Sequence, residues 1–159
     1  MHKPDRFAAI RTPRSCWLAA LEALRAAGRE DHEVMVYFAG TFDSVIGTVA
    51  RVVVPAQRQS AVGCEPGLAE IVRVSRELAN RSEVLLWQLH SHPGGAFLSE
   101  TDRTYPASLR IGWFSAVAAD FGRFTTEVGD LRMFERRGVH EWHELDAQEI
   151  AERFEIVDG

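Results

Sequence analysis

Apolar residues recur with helical spacing in three segments of the chain. In the first, Leu18, Leu21 and Leu24 fall on one helix face. Pro13 and Gly28 flank this segment, and proline suits the first turn of a helix whereas glycine suits the position just after its end. The pattern therefore predicts helices over residues 13–27, 68–78 and 146–154.

Apolar and β-branched runs between these segments predict strands. Residues 33–40 form the first run, and a four-residue turn joins it to residues 45–54, so these two strands should be antiparallel. Residues 84–89 are apolar on both faces, which indicates a central strand. Further strands are predicted over residues 111–119, 131–135 and 139–143, the last two as a hairpin.

The predicted element order is α-β-β-α-β-(loop/helix)-β-β-β-α. This order indicates an α/β fold in which helices flank a mixed β-sheet. Residues 55–66 and 90–106 are predicted as loops, the second with a short helix near its end. The acidic tail, residues 149–158, is predicted as a solvated helix face. A length of 159 residues favours a single domain spanning residues 1–159.

Composition and charge narrow the class of protein. The chain is 46% hydrophobic, and its apolar runs are far shorter than the roughly 20 residues that cross a bilayer. A net charge of −5 argues against a dedicated nucleic-acid binder. Cys16 and Cys64 are too few for a disulfide framework or a four-cysteine zinc site. Residues 1–14 lack the apolar segment of a secretory signal, so we expect a cytoplasmic protein without membrane contact.

The segment Leu-His-Ser-His-Pro-Gly-Gly ends the predicted central strand. His90 and His92 are two residues apart, so in extended chain they project to the same side. Two imidazoles at one strand end can supply two ligands to a tetrahedral metal ion. Pro93 follows and blocks continuation of the sheet.

Ser99 and Asp102 form an S-x-x-D pattern shortly after the histidines. Locally this pattern is an N-cap signature. The same spacing allows the Asp102 carboxylate to lie beside the two histidines as a third ligand. Three protein ligands and one open position are typical of a catalytic zinc site, so we predict one zinc ion per chain.

Hydrolysis at such a zinc needs a general base and a group that stabilises an oxyanion. Glu33 opens an apolar strand, which can present its carboxylate from the end of the sheet, so it is the candidate base. Glu30 and Asp31 are nearby rivals. Ser99 is the candidate hydrogen-bond donor to the oxyanion.

Together, E…H-S-H-P…S-x-x-D resembles the JAMM motif of the JAB/MPN metalloproteases. By matching positions, the resemblance implies that His90, His92 and Asp102 bind zinc, that Glu33 is the acid/base, and that Ser99 assists the oxyanion. It also implies a JAB/MPN α/β fold, whose layering is similar to that of the cytidine deaminases. One departure is a gap of six residues between the second histidine and the serine, where the family usually has seven.

The resemblance extends beyond the motif. Residues 33–40 are similar to the family's E-x7-G strand, and residues 96–99 to a loop of its deubiquitinases. Residues 110–115 and 119–122 resemble prokaryotic JAB proteins of ubiquitin-like conjugation or CBASS antiphage operons. This implies an isopeptidase or peptidase acting after the C-terminus of a ubiquitin-like protein, with activating and conjugating enzymes as further partners.

Three alternatives are weighed against this function. A peptidase that processes a carrier protein in sulfur metabolism would use the same chemistry, and the sequence does not separate the two. A catalytically silent MPN scaffold is disfavoured because every ligand of the motif is present. A zinc deaminase needs a P-C-x-x-C pair, which the sequence lacks.

A zincin site at residues 140–144 also fails, because residue 144 is Glu144 where that motif requires histidine.

Overall fold

A mixed eight-stranded sheet forms the centre of the computed structural model, which describes residues 2–104 and 106–159. The strands are β1 (Ala9–Pro13), β2 (Met35–Asp43), β3 (Ile46–Val53), β4 (Arg58–Ser60), β5 (Gly63–Glu65), β6 (Val84–Ser91), β7 (Phe114–Ala118), β8 (Arg132–Arg136), β9 (Trp142–Glu144) and β10 (Phe154–Val157). The strand order in the large sheet is β10-β1-β3-β2-β6-β7-β8-β9, and β4 pairs with β5 in a separate hairpin. The helices are α1 (Arg14–Arg29), α2 (Leu68–Asn80), α3 (Glu100–Thr104) and α4 (Ala147–Arg153).

Alternate residues of β2 enter two different cores. Val36 and Phe38 pack in the cluster that contains the buried face of α1, whereas Met35 and Tyr37 pack in the cluster that contains α2. Because successive side chains of a strand point to opposite faces, α1 and α2 cover opposite faces of the sheet. The predicted α/β architecture, a mixed sheet flanked by helices, is confirmed.

The central position predicted for the third apolar run is also confirmed. β6 lies between β2, with which it is antiparallel, and β7, with which it is parallel. β2 and β3 are antiparallel as predicted, and Gly40 lies at a register shift between them. A Cβ on Gly40 would lie 2.0 Å from the Thr48 carbonyl oxygen, so only glycine fits at this point.

Two strands at one edge of the sheet were not predicted. β1 pairs in parallel with both β3 and β10, and β10 occupies part of the acidic tail that the sequence assigned to a helix face. The tail prediction is therefore wrong for Phe154–Val157. Each of these strands has only four or five residues, and parallel partners so distant in sequence leave no local pattern.

A third correction concerns residues 55–66, which were predicted as a loop. Within them β4 and β5 form an antiparallel hairpin in which Gln59 faces Cys64. Every β4 residue is exposed, so the apolar alternation that identifies a half-buried strand is missing. Across the described residues, no helix is both long and apolar enough to cross a membrane.

Candidate metal centre

The end of β6 places two imidazoles on one face of the sheet. His90 lies in β6 opposite Met35 of β2 and Val117 of β7. His92 lies just beyond the strand, and its backbone amide donates to the Ala118 carbonyl at 2.9 Å. The strand therefore extends two residues further than the sequence predicted, and the histidine Nε2 atoms come within 3.2 Å of each other.

Ser91, between the two histidines, ties β6 to the start of β2. Its Oγ accepts a hydrogen bond from the Val34 amide, and its own amide donates to the Val34 carbonyl. The β2–β6 register pairs Met35 with His90. Continued by two residues, this register sets Glu33 opposite His92, so the antiparallel pairing delivers the candidate base to the histidine pair.

Asp102 reaches the histidines from α3. The Ser99 amide donates to Asp102 Oδ2 at 2.8 Å, and the Asp102 amide donates to Ser99 Oγ at 3.1 Å. This reciprocal pair is a capping arrangement that fixes the first turn of a helix. The local N-cap and the ligand role therefore coexist, because the capped carboxylate also faces the imidazoles.

Three ligand atoms converge at this point. Asp102 Oδ2 lies 3.2 Å from His90 Nε2 and 3.6 Å from His92 Nε2. Among the described residues this is the one group of three or more histidine, cysteine or acidic side chains with such geometry. Two imidazole nitrogens and one carboxylate oxygen suit a divalent metal ion.

The surroundings of Asp102 and His92 shift the pKa values of both groups. Burial alone would raise the pKa of Asp102, but hydrogen bonds from the His90 and His92 rings outweigh it and hold that pKa well below its usual range. Burial lowers the pKa of His92, yet Asp102 and Glu33 together raise it above the ordinary value. Asp102 is therefore ionised at neutral pH, as a metal ligand must be.

Glu33 is buried two residues before β2 begins. Burial raises the pKa of its carboxyl above the ordinary value, and the neighbouring His92 and His90 lower it by less. Its backbone amide donates to the Ser60 carbonyl of β4 at 2.8 Å, which holds the hairpin against this side of the site. A carboxyl with a raised pKa exchanges protons more readily near neutral pH.

Glu33, His92, Ser99 and Asp102 line one open cavity of about 800 Å³. The β4–β5 hairpin forms one wall, and residues 93–95 with Phe97 form the other. The structure thus brings together the predicted Glu33 with the predicted metal ligands and Ser99. The hairpin wall was missed, because no apolar pattern distinguishes it from a loop.

An exposed apolar side chain lies on each of the two walls of this cavity. Val62, at the hairpin tip, is 88% exposed, and Phe97 in the opposite wall is 52% exposed. The Phe97 ring also meets the His92 ring edge-on, with centroids 4.7 Å apart. Each wall therefore presents an apolar side chain to whatever enters.

Cys64 of β5 also lines the cavity, and its surroundings favour the protonated thiol. Burial raises the pKa of the Cys64 thiol far above its ordinary value, and the charges of Glu33 and Asp102 raise it further. Because the thiolate is the nucleophile, we expect iodoacetamide at pH 8 to alkylate Cys64 more than about tenfold more slowly than free cysteine. The rate is measured by mass spectrometry in a Cys16→Ser variant, and alkylation as fast as free cysteine would contradict this prediction.

Comparison with known proteins adds two findings on sequence. No protein-family model matches the chain. A protein of Sinorhizobium fredii (strain NBRC 101917 / NGR234) named probable metalloprotease y4jG is 28% identical over 152 residues, which cover 93% of this chain and 94% of that protein.

Solved structures decide the fold. A JAB1/MPN domain protein from Archaeoglobus fulgidus, AF2198, superposes with a TM-score of 0.52 at 14% identity, covering 94% of this chain and 99% of that one. This chain has the JAB1/MPN fold. Protein DSY2949 from Desulfitobacterium hafniense gives a TM-score of 0.67 at 18% identity, over 94% of this chain and 92% of that one. The JAB1/MPN fold and the His90–His92–Asp102 cluster therefore occur together in this protein.

Proposed function

We propose that this protein is a zinc-dependent peptidase or isopeptidase that cleaves after the C-terminus of a ubiquitin-like protein. The observation that carries the proposal is the convergence of His90, His92 and Asp102 beside a cavity that His92, Asp102 and Glu33 line. The metalloprotease name of the Sinorhizobium relative and the JAB1/MPN fold support a hydrolase.

The spacing of the ligand atoms supports zinc as the metal. Ligands about 2.0–2.1 Å from a tetrahedral zinc ion are about 3.3 Å apart. The three separations among His90, His92 and Asp102 are 3.2, 3.2 and 3.6 Å. An octahedral ion such as Mg²⁺ prefers a mostly oxygen ligand set, so the two imidazoles also favour zinc.

A zinc ion held there would make water acidic near neutral pH and polarise a substrate carbonyl. Glu33 lies in the same cavity, and its carboxylate takes the proton from the attacking water and delivers it to the leaving nitrogen. One carboxylate that accepts and then donates the proton completes amide hydrolysis without a covalent intermediate.

Ser99 is placed to stabilise the developing oxyanion. Its Oγ already accepts the Asp102 amide at 3.1 Å. The hydroxyl proton is therefore left to donate into the cavity that Ser99 lines. A preset donor of this kind stabilises charge that appears only in the transition state.

We expect Ser99→Ala to lower kcat by about 100-fold to 1,000-fold, the usual effect of losing one oxyanion donor. Assays at saturating zinc separate this effect from any change in metal affinity that loss of the Asp102 cap causes. Ser99→Thr keeps the hydroxyl and should retain more activity than Ser99→Ala. Equal kcat in Ser99→Ala and the unaltered protein would remove Ser99 from the mechanism.

The shape of the cavity supports an extended polypeptide tail as substrate. The walls are an exposed β-hairpin and a glycine-containing loop, and Gly94 and Gly95 have open space where a Cβ would lie. In the described part of the chain, β4 and β5 pair only with each other. The Ser60 carbonyl of β4 already accepts the Glu33 amide, so β5 offers the edge that an extended tail can join as a further strand.

A ubiquitin-like protein or its conjugate is the proposed partner, with the activating and conjugating enzymes of the same operon as further partners. The likeness of residues 110–115 and 119–122 to prokaryotic JAB proteins supports this assignment. We also propose a role in antiphage defence on the basis of that likeness. A cytoplasmic location without nucleic-acid or membrane partners stays a prediction from the sequence.

The second candidate is a peptidase that processes a carrier protein of sulfur metabolism. The same open cavity suits the extended tail of either kind of protein. A silent scaffold is less well supported, because the structure brings the three ligands and Glu33 together.

The test uses the zinc-loaded protein and three substrates made from one ubiquitin-like protein with a Gly-Gly tail. The first carries a reporter domain in linear fusion, the second carries it through a lysine isopeptide bond, and the third ends in a cysteine adduct. Release of the reporter, with intact mass showing a cut after Gly-Gly, supports the proposal. Cleavage of the cysteine adduct alone favours the carrier peptidase, and binding without cleavage favours the scaffold.

A further inference from the structure

The loop that leaves His92 is held by a tight turn at the end of β7. The Phe121 amide donates to the His92 carbonyl at 2.8 Å, and the Asp120 amide donates to the Gly94 carbonyl at 3.0 Å. These two hydrogen bonds fix the backbone of a metal ligand and of the loop residue two positions further on.

A side chain of β8 holds the same loop at a third point. Arg132 Nη1 donates to the Ala96 carbonyl at 2.6 Å. A bidentate ion pair with Glu144 of β9, at 2.6 and 2.7 Å, orients the guanidinium. The carbonyls of residues 92, 94 and 96 are thus all held from the β7–β8 side, and they alternate along the loop.

The turn adopts a conformation that its residues rarely take. Asp120 has φ of 51° and Phe121 has φ of 55°, although neither is glycine. Two successive residues in the left-handed region are costly for L-amino acids. Such strain persists only where surrounding contacts impose it. In this turn the left-handed conformation directs the Asp120 and Phe121 amides toward the loop that follows His92.

Contacts with α1 impose the conformation. Phe121 is buried, and a Cβ added to Gly28 of α1 would lie 2.5 Å from the Phe121 Cβ. Gly122, with φ of 72°, packs against Leu24 in the same way, since an added Cβ would lie 3.1 Å from it. Gly28 therefore makes room for the Phe121 side chain, and the helix holds the turn in place.

We infer that the Asp120–Gly122 turn and Arg132 form a clamp that sets the position of His92 and the loop beyond it before metal binds. Phe121 and Arg132 are positioning residues in this clamp, and Gly28 provides the space that the clamp needs. The inference rests on the metal site of the proposed function but not on its substrate. Its readout is metal affinity, which the clamp changes by preorganising the ligands.

The first test replaces Arg132, the exposed residue of the clamp. Arg132→Met should raise the Zn²⁺ dissociation constant by about 10-fold to 100-fold, the usual effect of removing a group that orients metal ligands. The visible absorption of the Co²⁺-loaded protein should also change. Arg132 is half exposed, so the denaturant midpoint of the metal-free protein should move little. Arg11→Met is the matched control, because Arg11 forms an exposed ion pair with Glu155 at the far edge of the sheet.

The second test changes Gly28, which packs against the buried Phe121 of the clamp. Gly28→Ala forces Phe121 to shift, so the Zn²⁺ dissociation constant should again rise about tenfold or more. Adding Phe121→Gly removes the clash and suits the left-handed backbone. The double variant should therefore bind Zn²⁺ more tightly than Gly28→Ala, although it has lost more packing. Leu21→Ala, a core truncation elsewhere in α1, should lower the denaturant midpoint without weakening Zn²⁺ binding.

The outcomes separate the clamp from the proposed function. Unchanged Zn²⁺ affinity in both Arg132→Met and Gly28→Ala would overturn the clamp while leaving the metal site intact. Affinity that merely follows the denaturant midpoint across all variants would also overturn it, because the turn would then be ordinary core. Failure of the unaltered protein to bind Zn²⁺ would reject the proposed function itself.

Discussion

Replacing Glu33 by glutamine is expected to lower hydrolysis by about 100-fold to 10,000-fold while leaving the zinc content unchanged, since this is the range that a positioned proton-transfer group supplies. Glutamine keeps the size of the side chain but cannot take up a proton. The ligand atoms come from His90, His92 and Asp102, so the metal should still bind. Activity is followed with the linear reporter fusion, and zinc by elemental analysis of the same sample.

Glu30→Gln is the matched control for this experiment. Glu30 lies three residues earlier and is exposed at the end of α1, so its loss should leave hydrolysis unchanged. Full activity of Glu33→Gln would exclude Glu33 as the base. Loss of zinc together with activity would instead show that Glu33 helps to hold the metal.

Asp102→Asn is expected to weaken zinc binding by at least about 100-fold and to abolish hydrolysis at limiting zinc. Changes to residues that only orient ligands already cost about 10-fold to 100-fold, and this change removes the ligand charge itself. The amide oxygen of asparagine can still accept the Ser99 amide that Asp102 Oδ2 accepts, so α3 should remain capped. Zinc affinity is measured by competition with a chromophoric chelator.

Glu100→Gln is the control, because Glu100 is an exposed acid in the first turn of the same helix. It changes the net charge equally but lies outside the ligand cluster. Equal zinc affinity in Asp102→Asn and Glu100→Gln would show that Asp102 is not a ligand.

The six-residue gap between His92 and Ser99 still lets Asp102 reach both histidines. Despite the shorter loop, Asp102 Oδ2 comes within 3.6 Å of both histidine Nε2 atoms. Gly94 and Gly95 have no neighbouring atoms where a Cβ would lie, so side-chain packing at these two residues does not hold the loop. Anchoring of the loop carbonyls to the Asp120–Gly122 turn and Arg132 fixes its path instead.

The sequence alone was sufficient for the two long helices, for the central strands and for the residues that gather at the site. Helical spacing marked α1 and α2, and apolar runs marked β2, β3 and β6, because each signal arises within a few neighbouring residues. The H-x-H spacing put two imidazoles on one side of a strand for the same reason. The S-x-x-D pattern likewise predicted how Asp102 lies relative to Ser99, because the cap joins two residues only three positions apart.

Only the tertiary structure decided how distant segments meet. The parallel strands β1 and β10 join residues about 140 positions apart, and no local pattern records such a pairing. The register that sets Glu33 opposite His92 depends on the Ser91–Val34 hydrogen bonds across 57 residues. The wall formed by β4–β5, and the contact of Gly28 with Phe121 that supports the metal loop, likewise follow from packing between segments that the sequence separates.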